Sequence, residues 1–190
     1  MRVLHILFSC LLCCACEKPV SYYPSEKEYL SNMITKNVAT QLKNELGLTP
    51  FGSGGQARKQ IKMLALAFLC HKPIDIETGR ELLIAAVNKF AAEINANEAI
   101  RPYLNNYPFG PKNIEIEIYI RKPNGKEVES DELCIISASN GVLKYKIYSG
   151  KYNLKTVYEE TFEEALQKLN RAKQSAYTAR DSKIGSVCVR

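Results

Sequence analysis

From residue 25 onward the chain repeats apolar side chains at helical spacing. Leu30, Ile34, Val38, Leu42 and Leu46 recur every four places, with Met33 alongside, which paints one face of a helix. Ser25 followed by Glu28 has the form of a capping box, and Gly47 is a natural stop, so the spacing predicts a first helix over residues 25–46. Residues 47–55 (GLTPFGSGG) read as a Gly-rich loop. The run Ile61–Cys70 has Lys62 as its one charged residue, which predicts a second helix from about Gln56, apolar all round and central in the core. After Pro73, Asp75 is placed to cap a third helix. Leu83, Ile84, Val87, Phe90 and Ile94 make that helix mostly buried.

Pro102, Pro108 and Pro111 exclude a long helix from residues 100–113. The period then changes to two. Ile114, Ile116, Ile118 and Ile120 alternate with Glu115, Glu117, Tyr119 and Arg121, a strand with one buried and one wet face. Residues 133–139, 142–148 and 152–158 read as three further strands, with Asn140-Gly141 between two of them as a type I′ hairpin signal. Thr161 with Glu164 opens a last helix, and residues 175–190 are a polar, mildly basic tail. The expected fold is α+β: three N-terminal helices, a four-stranded antiparallel meander and one C-terminal helix, in a single domain over residues 25–174.

The first sixteen residues are of another kind. Arg2 precedes the apolar stretch Val3–Leu12, and the small Ala15 stands directly before Cys16. A short positive segment, an apolar run too short to cross a bilayer and a small residue at the end have the layout of an export signal. Leu12-Cys13-Cys14-Ala15-Cys16 resembles the lipobox of bacterial lipoproteins, with the leucine one place further from the cysteine than is usual. The resemblance covers only the signal. It implies cleavage after Ala15, diacylglyceryl attachment to the Cys16 thiol, and a mature protein held on a membrane outside the cytoplasm. Glu17 rather than Asp after the modified cysteine implies the outer membrane in a two-membrane cell. Residues 17–24 (EKPVSYYP) then form a short spacer.

This reading sorts the seven cysteines. Cys10, Cys13, Cys14 and Cys16 belong to the signal, leaving Cys70, Cys134 and Cys188 in the body. Three cysteines at these spacings match no zinc site; Cys70 and Cys134, among apolar neighbours, read as buried hydrophobes, and one bridge among the three stays open. The net charge of +6 is mild, and its lysines and arginines are interleaved with acids, which argues against nucleic acid as a partner and is compatible with anionic surfaces such as phospholipid headgroups.

No motif for a cofactor, a metal or a familiar catalytic set stands in the body. Outside the signal His71 is the one histidine, placed by the helical reading at a helix end where it would meet the last carbonyls. Glu115 and Glu117 fall on the wet strand face, with Lys144 and Lys146 as candidate cross-strand partners; Glu159 and Glu160 form a second carboxylate pair.

Two stretches stand out as candidate sites. Gly52, Ser53, Gly54 and Gly55 run into Arg58 and Lys59, with Lys62 beyond. A Gly-rich loop opening a helix can cradle an anion, and a lipid phosphate would offset the basic side chains crowded at that end. Arg101, Tyr103, Tyr107 and Phe109 lie on a proline-stiffened segment suited to a protein, peptide or glycan, or to covering a sheet edge. The expected function is that of a membrane-anchored envelope lipoprotein acting as a non-enzymatic binding or assembly module. The alternative is an envelope hydrolase or transferase with Ser53 as nucleophile and Lys59 or Lys62 as base.

Overall fold

A computed structural model describes residues 23–150 and 153–185, with side chains through residue 175. The stretch read as an export signal, Cys16, most of the segment read as a spacer, and Cys188 lie outside the described residues.

Helix α1 runs Glu26–Leu46. Its capping box is formed: the Glu28 carboxylate accepts from the Ser25 backbone N–H at 2.9 Å, and Ser25 Oγ accepts from the Glu28 N–H. Leu30, Ile34, Val38 and Leu42 are buried, as their spacing requires, and the Gly47 N–H closes the helix on the Lys43 carbonyl.

The next segment departs from the sequence reading. Residues 47–70 hold no helix. Thr49–Gln56 is strand β1 and Met63–Cys70 is strand β2, paired antiparallel. The Gly-rich stretch is therefore an edge strand, and the apolar run is an interior one. Leu64, Leu66, Phe68 and Cys70 are buried, while Met63, Ala65, Ala67 and Leu69 on the opposite face are half-buried. Gly55 is needed where the two strands meet, because a Cβ there would stand 2.7 Å from the Met63 carbonyl oxygen.

Helix α2, Ile76–Ala96, is capped by Asp75, whose carboxylate accepts from the Thr78 N–H at 2.8 Å. It carries the chain back so that β3, Ile114–Ile120, lies parallel to β2. Strands β4 (Leu133–Ser139), β5 (Val142–Tyr148) and β6 (Leu154–Thr161) follow antiparallel. The sheet thus has six strands in sequence order and one parallel pair, where the sequence predicted a four-stranded meander. Asn140 and Gly141 both have positive φ (50° and 76°) in the β4–β5 turn, as a type I′ hairpin demands.

Helix α3 runs Phe162–Gly185, so the polar stretch read as a tail from residue 175 begins as helix. The three helices line one face of the sheet. α1 packs on β1 and β2, α2 on β3 to β5, and α3 on β5 and β6, with α2 between the other two. The isoleucines of β3 fill the space between the layers, all fully buried. Among the described residues no element covers the other face, where Ala65, Ala67, Glu117, Tyr119, Ser137 and Lys144 stay half-buried while Ile135 is buried. The class is mixed α and β, with its helices on one side of the sheet.

Candidate functional site

The Gly-rich stretch does not make one site. Gly52 and Ser53 line a groove along α1, against Asn32, Thr35 and Lys36. Gly54 is exposed on the edge strand and lines neither hollow. Gly55 turns into a separate cleft of about 740 Å³ with Arg58, Lys59, Lys62 and Asn105. No helix begins at Gln56, so the dipole and unpaired amides of a helix start are not there to hold an anion. What remains is a cleft rimmed by cations. The exposed Arg58, Lys59 and Lys62 side chains make no ion pair among the described residues. The β1–β2 turn that presents them is pinned to α1: Lys27 Nζ donates to the carbonyls of Ala57 at 2.5 Å and Arg58 at 2.7 Å. Ser53 and the lysines proposed as its base line different hollows, so a serine–lysine pair is not assembled.

The four residues of the aromatic segment part company. Phe109 is core, 1% exposed, with its N–H and carbonyl both held by the Asn95 side chain at 2.8 Å. Tyr103 is half-buried and donates to Glu26 at 2.8 Å, tying the linker to the first turn of α1. Arg101 and Tyr107 remain outside as a cation–π pair, 5.1 Å from guanidinium to ring centre. The linker also holds β2 in place: Ile61 donates to the Tyr103 carbonyl and Asn105 donates back to Ile61.

Glu160 belongs to a buried network that sequence reasoning missed. Its side chain is 1% exposed, accepts from Arg80 Nε of α2 at 2.7 Å and from the Tyr145 hydroxyl of β5 at 2.9 Å, and pairs with Lys168 Nζ of α3 at 2.7 Å. Burial alone would push this carboxyl up, but the bonds from Arg80, Lys168 and Tyr145 outweigh it and hold Glu160 below its ordinary value. Burial and then the bond to Glu160 push the Tyr145 phenol well above its usual value. The signal was present in the parity of Tyr158, Glu160 and Phe162, which points all three inward. The cluster fastens α2 and α3 to the sheet. Glu159 points the other way and pairs with Lys144 at 3.3 Å, so Lys144 meets the edge strand rather than the carboxylates of β3.

Among the described residues no element packs over the second face of the sheet. The Phe51 ring, 64% exposed at a bulge in β1, meets Tyr119 edge-on at 5.6 Å. Tyr119 donates to Glu117 at 2.7 Å, which with partial burial raises the phenol pKa to about 12. Ser137 and Lys144 continue the Glu117 rung; Ile135 and Lys146 continue that of Tyr119.

His71 is exposed in the β2–α2 connection and has no helix end to cap, which corrects its expected role. Cys70 and Cys134 are buried, and among the described residues neither forms a disulfide. Among the described residues no cluster of His, Cys, Asp or Glu could hold a metal ion, and no helix is long and apolar enough to cross a membrane. Comparison with known proteins gives no family model, no curated protein and no solved structure that matches this chain.

Proposed function

We propose that this chain is an envelope lipoprotein, tethered through Cys16, that works by binding a protein or peptide across the open face of its sheet rather than by covalent catalysis. The observation that carries the binding reading is the half-exposed sheet face itself, with Phe51 and Tyr119 at one side and a run of small and charged residues beside them. Six strands give such a face rigidity, and a rigid surface with aromatic anchors loses little entropy when a partner settles on it. The tether is supported by Ala15-Cys16 at the end of an apolar run.

A photo-cross-linking residue at Ala67, on the open face, tests this in intact cells. It yields discrete adducts, while the same residue at Thr40, exposed on α1, yields none. Equal labelling from the two positions, or none from Ala67, contradicts the reading.

A further inference from the structure

We infer that the pole of the molecule where α1 begins is a docking surface for anionic phospholipid headgroups, with the Arg58–Lys59–Lys62 cleft receiving the lipid phosphate. The inference rests on the tether at Cys16 proposed above. Three observations then converge on one end of the fold.

The first is reach. The chain from Cys16 to Tyr23 can extend no further than about 25 Å. The body is longer: the 21 residues of α1 alone span roughly 32 Å. A domain held at Cys16 therefore keeps the start of α1 within about 25 Å of the bilayer.

The second is charge. Lys27 fastens the β1–β2 turn to that same start of α1, which brings Arg58, Lys59 and Lys62 to the membrane end. The nearby acids are engaged within the protein. Glu26 accepts from Tyr103, Glu28 closes the α1 cap and Glu98 pairs with Arg101. The three cations of the cleft have no such carboxylate among the described residues. Asn105 adds an amide to the rim.

The third is aromatic placement. Tyr23 and Tyr29, 84% and 59% exposed, flank the start of α1, and Tyr107 at 56% lies over Arg101 on the adjoining linker. Tyrosine rings with a wet hydroxyl and an apolar body favour the headgroup layer. The diacyl anchor supplies the attachment, and a basic patch beside it adds electrostatic attraction that turns this end of the domain toward anionic headgroups.

Hydrogen exchange on the native acylated protein tests the pole. The protein is carried on vesicles of phosphatidylcholine alone or with added phosphatidylglycerol. Amides of residues 55–62 exchange more slowly on the anionic vesicles, by up to on the order of 100-fold if all three cations engage. The Arg58→Ala/Lys59→Ala/Lys62→Ala variant exchanges there as on neutral lipid, whereas Lys144→Ala/Lys146→Ala on the open face keeps the wild-type protection. Exchange in β3 and β4 reports that each variant is folded. Equal exchange on the two lipids, protection that survives loss of the three cations, or equal protection by soluble glycerol phosphate overturns the inference. Acyl mass on the same protein is read separately, so a missing anchor counts against the tether and missing protection against the pole.

Discussion

At the scale of single residues, Glu160 gathers the most buried ionic contacts among the described residues. It is buried between two cations and a phenol, and removing its charge leaves Arg80 buried without a counter-ion. Glu160→Gln is expected to cost on the order of 3–5 kcal/mol in chemical denaturation. The pH dependence has a definite sign. A carboxyl held below its ordinary value in the folded state contributes stability that is present above its unfolded pKa, near 4.5, and is lost as the pH falls through the lower folded value. The wild type therefore loses stability in acid more steeply than Glu160→Gln; parallel curves would show that Glu160 is not ionised in the folded protein. Gly55 is a second sensitive position. Gly55→Ala forces a Cβ against the Met63 carbonyl and is expected to cost about 1–3 kcal/mol, measured the same way, whereas Gly54→Ala, with open space around it, costs less.

At the scale of elements, the chain was legible wherever one period dominated. Ser25, Glu28 and the apolar residues at every fourth place marked α1, Asp75 marked the start of α2, and the Ile–Glu alternation marked β3. The reading failed over residues 47–70 for two physical reasons. The run from Ile61 to Cys70 is apolar at both periods, because Ala65, Ala67 and Leu69 share the sheet's second face with little polar contrast, so periodicity carries no vote there. The glycines of β1 look like loop, but an edge strand paired on one side accepts them where a close backbone approach needs one. The same error hid the cleft. Arg58, Lys59 and Lys62 were visible as charges, yet their meeting with Asn105 depends on the hairpin and the linker, two elements far apart in sequence. The β4–β5 turn was read correctly and is open to a direct test. Gly141→Val places a β-branched residue at φ 76° and is expected to cost about 1–3 kcal/mol, while Asn140→Gly, at φ 50°, is tolerated, as thermal unfolding of both variants will register.

At the scale of the whole molecule, the helices close one face of the sheet, and among the described residues nothing covers the other. The start of α1, the basic cleft and the exposed tyrosines share one end. On the tethered reading this arrangement divides the labour. The anchored end meets lipid, and the open face meets a partner. Everything in that division hangs on Cys16, and the mass of the mature protein extracted from membranes tests it most directly. The expected result is an N-terminus at Cys16 carrying diacylglyceryl mass, and an unacylated precursor when Cys16→Ala is made. A mature chain that starts elsewhere and bears no lipid would contradict it.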